Sequence, residues 1–199
     1  MRKIYGLLFA FVCSATMLSA QKGRIGITFS ALSDNSVARF GTGYMDDSNT
    51  DADKSYTVGI TYLKPLNNWL ELETGIEYLK CDATKNSIIP SFSNIIVYSQ
   101  SNPVSLINIP VSVRANFWKY CFINGGLMLD MDVSSNSPIQ SQSGLGSLVG
   151  LGLIYDFRSG ISLFLNPYMK VHSIIPFTSG KDPDHLLESA LRIGLTYKL

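Results

Sequence analysis

Eight stretches of this chain alternate apolar and polar side chains with a period of two, and beyond residue 20 no apolar run is long enough to cross a membrane as a helix. Period two belongs to a strand with two unlike faces, because successive side chains point to opposite sides of a sheet. The segments are Arg24–Ala31, Ser55–Leu63, Leu70–Leu79, Ser105–Phe117, Tyr120–Met131, Gly144–Tyr155, Ile161–Val171 and Leu187–Leu199. The third is the sharpest, with Leu70, Leu72, Thr74, Ile76 and Tyr78 opposite Glu71, Glu73, Gly75 and Glu77. The segment lengths match the roughly 9–11 residues that a tilted strand needs to cross a bilayer.

The connections alternate as well. Three are short: Lys64 to Asn68, Trp118-Lys119 and Asp156 to Gly160. Four are long: Leu32 to Lys54, Lys80 to Val104, Asp132 to Ser143 and His172 to Leu186. Short turns at one end and long loops at the other are the plan of an even-stranded membrane barrel, with both termini on the short-turn side. Tyr62, Trp69, Phe117, Trp118, Tyr155, Phe157 and Tyr197 map near the short-turn end, where an aromatic ring meets a lipid interface, and Tyr56 and Tyr78 map toward the other rim. The expected fold is therefore all-β, an eight-stranded antiparallel transmembrane up-and-down β-barrel over residues 21–199.

Residues 1–20 read as a secretory signal peptide. Arg2 and Lys3 precede an apolar stretch from Ile4 to Leu18, and Ser19-Ala20 supplies the small residues before a cut. Phe11 and Val12 are too bulky before Cys13 for a good lipid-attachment site. Removal of this segment takes two of the 16 basic residues and leaves the 15 acidic ones, so the mature chain is near neutral and offers nucleic acid no electrostatic footprint. Cys81 and Cys121 fall at opposite ends of the barrel, too far apart to bond.

If lipid surrounds the wall, the continuous apolar face points outward and the polar face fills the lumen. That face collects Glu71, Glu73, Glu77, Asp130 and Glu188 against Arg24, Arg114, Lys170, Arg192 and Lys198. A barrel of eight strands holds little more than its own side chains, so these charges are expected to pair with one another, Arg114 and Arg192 with Glu71, Glu73 and Glu77 at the centre. The glycines at 144, 146, 150 and 152 are expected to make room for long Arg and Glu side chains. Pro110 and Pro167 each remove a ladder donor, so a bulge or break is expected at both, with a slip in facing between Leu165 and Met169.

No catalytic, cofactor-binding or metal site is assigned. His172 and His185 map to the rims of the fourth long loop, in no HExxH pattern or Cys/His cluster. A hydrolytic trio of His172, Ser173 and Glu188 is the catalytic alternative. Asp46, Asp47, Asp51 and Asp53 make the first loop acidic without reproducing a calcium-loop spacing. The second loop is apolar for an external connection, with Ile88-Ile89-Pro90 and Ile95-Ile96-Val97-Tyr98. Either the two strands extend and pack there, or residues 80–104 form a contact surface for an envelope or surface protein or a lipid-linked glycan.

The Ser19-Ala20-Gln21 junction, Ile107-Asn108-Ile109-Pro110-Val111 and the closing Leu191-Arg192-Ile193-Gly194-Leu195-Thr196-Tyr197-Lys198-Leu199 resemble the PorT-like outer-membrane β-barrel family of Bacteroidetes. The resemblance covers residues 21–199 and implies a small outer-membrane barrel; the role in protein secretion linked to a few members does not transfer with the fold. The expectation at this level is a non-enzymatic, monomeric barrel in outer-membrane lipid. Its role would be structural or in protein interaction, without a cofactor; a narrow transport channel and a lipid-modifying enzyme are the alternatives.

Overall fold

The structure is a computed structural model that describes residues 23–39, 50–90, 95–134, 141–177 and 184–199. The expected signal peptide, residues 1–20, lies outside the described residues. Eight strands follow in chain order: β1 Arg24–Arg39, β2 Thr50–Pro65, β3 Leu70–Pro90, β4 Ile95–Phe117, β5 Cys121–Asp132, β6 Gly144–Asp156, β7 Ile161–Pro176 and β8 Asp184–Lys198. Each pairs antiparallel with its neighbours in sequence, and β1 pairs with β8 from Arg24↔Lys198 to Arg39↔Asp184, which closes the barrel. Closure leaves every strand within the wall two partners, the condition for a sheet that meets lipid.

The facing follows the alternation. Ile27, Ile60, Ile76, Leu127 and Leu151 point outward and are each about three-fifths exposed, at 63%, 59%, 60%, 60% and 63%. Thr28, Thr61, Glu77, Asn124 and Asp130, on the opposite parity, are buried in the lumen. Branched apolar side chains presented in bulk on a wall would be a liability in water, and they match the hydrocarbon of a membrane.

Each proline brings the expected local break on one side, without a bulge. The β6–β7 pairing skips from Gly150↔Tyr168 to Leu153↔Leu165 and β3–β4 from Thr74↔Val111 to Glu77↔Asn108, in unshifted register, while β7–β8 runs on through Pro167↔Leu191 and β4–β5 through Pro110↔Met128. Leu165, Pro167 and Met169 keep the outward face, and no slip occurs. On the β6 side Pro167 has no N–H to give. The Asn166 side-chain amide donates instead to the Leu151 carbonyl at 2.9 Å, filling the ladder position that the proline leaves empty. Register shifts lie elsewhere, between Ala31 and Asp34, Asp53 and Tyr56, and Leu145 and Ser147, all toward the long-loop end.

At the short-turn end Asn67 Oδ1 accepts the Trp69 and Leu70 N–H groups at 3.0 and 2.8 Å and shapes the β2–β3 turn. Trp118 (φ 52°) and Gly160 (φ 84°) take left-handed conformations in the next two turns. The aromatic belt is present here. Tyr155 stacks on Tyr120 at 6.1 Å between ring centroids and meets Phe157 edge-on at 4.8 Å, while Phe117 packs against Trp118 at 5.5 Å.

The strands overrun the sequence assignment at the long-loop end. The connection expected over residues 80–104 is almost wholly strand, paired from Lys80↔Ser105 to Pro90↔Ile95. At about 3.3 Å per residue, the 21 residues of β3 span about 70 Å, or about 50 Å along the barrel axis at a tilt of about 40°. β5 has 12 residues and at the same rise and tilt reaches about 30 Å, close to the height of the apolar band of such barrels. The wall is therefore uneven, tall at β3 and β4 and low at β5.

Candidate functional site

The lumen holds the chemistry, and its side chains arrive from all eight strands because inward positions recur every second residue. Starting near the short-turn end, Arg24 on β1 bonds Asp156 at 2.8 Å and lies 3.6 Å from Glu71. Asn116 also donates to Glu71, at 3.2 Å. Asp156 takes the Ser162 hydroxyl at 2.5 Å, so this mouth is tied across β1, β3, β4, β6 and β7.

Above it lies a chain of alternating charge. Arg114 bonds Glu73 at 3.1 Å, Glu73 meets Arg192 at 3.0 Å, and Arg192 reaches Glu77 at 3.3 Å. Lys170 bonds Glu77 at 2.5 Å and lies 3.6 Å from Glu188. His172 then bridges Glu188 and Asp130, each ring nitrogen 3.2 Å from a carboxylate oxygen. All eight groups are buried, and each has an opposite charge or a hydrogen-bonding partner within reach, which is what keeps charge tolerable in a narrow interior. Glu188 is the most connected, accepting from Tyr168 and Thr57 as well, at 2.5 and 3.1 Å.

The expected pairing of Arg114 and Arg192 with the Glu73 and Glu77 carboxylates is present, but Glu71 belongs to the mouth. Lys198 is corrected: it is exposed and outside the network. His172 takes its place. The rim position read for His172 from sequence is a buried one, and both its nitrogens face carboxylates, so only an imidazolium can donate to both at once.

Two apolar layers bracket the charges. Phe122, Ile154 and Phe164 cluster toward the short-turn end, and the Arg114 guanidinium lies over both rings at 4.1 and 4.7 Å. Leu79, Cys81, Val104, Leu106 and Leu186 form the second layer toward the long-loop end. The phenylalanines escaped the sequence reading, although their inward parity alongside Asn124 and Asn166 is the signal that places them. The glycine expectation changes accordingly. The space at Gly152 is taken by the Phe122 ring, that at Gly150 by Asn124 and Asn166, and that at Gly146 by Asp130 and Met128, so the side chains nearest these three are not Arg or Glu.

The trio of His172, Ser173 and Glu188 does not assemble as a hydrolytic site. Both His172 nitrogens are engaged by carboxylates, and the Ser173 hydroxyl points to the Ser143 carbonyl at 3.5 Å. Ser173, at φ 51°, serves instead as a bend whose N–H donates to Asp130 at 3.0 Å. Cys81 and Cys121 are free, at opposite ends of the wall. Among the described residues, no three His, Cys, Asp or Glu side chains are arranged to hold a metal ion. Asp46 and Asp47 lie outside the described residues, and Asp51 and Asp53 are carried by β2.

No protein-family model matches the sequence, and no curated protein matches it. Solved structures do. The outer membrane protein AlkL, solved in lipid bilayers, aligns with a TM-score of 0.50 and 11% identity over 91% of this chain and 93% of its own. Ail, the attachment invasion locus protein of Yersinia pestis, gives 0.44 and 14% over 89% and 100%. The outer membrane protease OmpT from Escherichia coli gives 0.44 and 9% over 91% and 98%. The chain has the fold of an eight-stranded outer-membrane barrel. At such identities the likeness is one of fold and carries no family or source with it. The expectation of a non-enzyme is corrected here: a solved barrel that matches is an outer membrane protease, and a shared fold neither assigns nor excludes an activity.

Proposed function

We propose that the mature chain, freed of residues 1–20, spans the bacterial outer membrane as a monomer and binds an envelope or surface protein through the β3–β4 hairpin, residues 80–104. The observation that carries this reading is the unequal height of the wall: β3 and β4 run 21 and 23 residues against 12 and 13 for β5 and β6. Residues beyond the hydrocarbon contribute nothing to crossing it, and ordering a long hairpin costs about 1–2 kcal/mol of backbone entropy per residue, so a projecting hairpin is a surface held out for contact. The filled lumen supports the same reading, because Arg114, Phe122 and Phe164, each at most 1% exposed, stand across it. The resemblance to PorT-like barrels of Bacteroidetes belongs to this reading and implies the same placement.

The experiment compares the full chain with a variant in which a two-residue Asn-Gly turn joins the paired residues Ala83 and Asn102, both carrying a photo-crosslinker on β3 and expressed in the native host. A discrete protein adduct with the full chain, lost on shortening, is the expected outcome. Planar-bilayer recording of the purified barrel tests the competing channel: steady single-channel steps would move the function to transport.

A further inference from the structure

At the step in the wall between β4 and β5, the outer part of β4 has an open side among the described residues. β4 pairs with β5 only from Phe117↔Cys121 up to Leu106↔Asp132, with one further bond from the Val133 N–H to the Ser105 carbonyl at 3.0 Å. Beyond Ser105, β4 continues to Ile95, paired on its other side with β3 throughout. Among the described residues, nothing pairs with the second side of this stretch.

Which backbone groups are free follows from parity. Asn116 donates to the Trp69 carbonyl on the β3 side at 2.6 Å, whereas the Ser105 carbonyl accepts from the β5 side. The β3–β4 register holds unshifted from Leu70↔Ala115 to Pro90↔Ile95. Even-numbered residues of β4 therefore bond β3, and odd-numbered ones face away from it. Ile95, Val97, Ser99 and Ser101 each present an N–H and a C=O along the open side, and Pro103, which has no N–H, closes the row next to the wall. The stretch Ile95–Val104 carries no charged residue, so the usual protection of an open edge by charge is missing.

We propose that the outer edge of β4, residues 95–103, takes an extended segment of another protein as an added strand, held chiefly by main-chain hydrogen bonds. This rests on the reading of the hairpin as a partner surface and specifies its mode of binding. Nine residues suffice for a strand of ordinary length. A second copy fits less well. Two barrels rooted in one membrane send β4 in the same direction, so their edges meet only in parallel, the weaker ladder, while a free segment can run antiparallel.

Amide hydrogen exchange of the full barrel in micelles tests this. The probe is a blocked peptide of about ten alternating threonine and valine residues, a generic strand without specific side chains. Without peptide, the amides of Val97, Ser99 and Ser101 exchange faster than those of Tyr98, Gln100 and Asn102; with peptide, the odd-numbered amides slow about tenfold or more. Ser99→Pro with Ser101→Pro removes two outward donors without touching the bonds to β3, so the barrel folds and the peptide effect disappears. Ser99→Ala with Ser101→Ala retains it. Three results overturn the proposal: odd-numbered amides already slow without peptide, undiminished peptide protection in the proline variant, or protection that grows with barrel concentration alone as the particle mass doubles, which assigns the edge to a second copy. In the cellular crosslinking experiment, an adduct lost on shortening the hairpin but kept by the proline variant removes the edge mode and leaves the partner surface standing. If the full chain yields no adduct, the partner-surface reading falls instead.

Discussion

Arg192 shows how a single buried side chain can hold a lumen together. It spans Glu73 and Glu77 and also donates to the Asn166 side-chain oxygen at 2.6 Å. Arg192→Met leaves Glu73 on Arg114 alone and Glu77 on Lys170 alone, and the expected loss is about 3–5 kcal/mol, the usual cost of removing one partner from a buried ion pair. Urea unfolding of the barrel in detergent measures it. The double change E77Q and R192M removes one charge of each sign, leaves Glu73 on Arg114 and Lys170 on Glu188, and is expected to recover most of that loss; if it is worse than Arg192→Met alone, the charges are not coupled as described. Gly194 is a second test at this scale. A Cβ there would intrude on the Phe164 ring, so Gly194→Val is expected to cost about 1–3 kcal/mol through overpacking, read from the same unfolding curves.

Strands carry their own requirements. β7 must pass a proline through a closed sheet, and Asn166 next to it supplies the missing donor to Leu151. Asn166→Ala is expected to destabilise the barrel by about 1–3 kcal/mol, since it orphans that carbonyl and an Arg192 donor. Adding Pro167→Ala restores a backbone N–H toward β6, so the double variant is expected to be more stable than Asn166→Ala; equal or lower stability would mean the side-chain bond does not stand in for the ladder. Strand ends at the short turns were legible in sequence to within a residue or two, because polar turn residues interrupt the alternation there. The far ends of β1 and β2 were not, whereas the apolar residues at 88–90 and 95–98 already offered an extended β3 and β4 as one of two readings. Past the membrane both faces meet water and the alternation fades, while cross-strand hydrogen bonds continue without it.

For the whole molecule, the closed ladder and filled lumen predict a compact particle that resists detergent. The barrel is expected to migrate faster on a denaturing gel when left unheated than after boiling, and to stay in the membrane fraction after a carbonate wash. Release into the soluble fraction, with one mobility under both conditions, would defeat the lipid-facing assignment of the wall. The apolar layer of Phe122, Ile154 and Phe164 and that of Leu79, Cys81, Val104, Leu106 and Leu186 act at this scale, since each draws on several strands to close one level of the lumen.

The sequence alone determined the strand number, which residues face lipid and which face the lumen, the end that carries the aromatic belt, and most of the charges that must be satisfied inside. All of these follow from a two-residue period and the spacing of turns, which are local properties of a strand. Tertiary structure decided which charges meet, because pairing depends on register and shear around a closed sheet: Lys198 stays outside the network, His172 enters it, and the Phe122 and Phe164 rings lie under Arg114. It also decided that β4 outlasts β5, and so where the edge lies, since a strand's free side is set by the height of its neighbour.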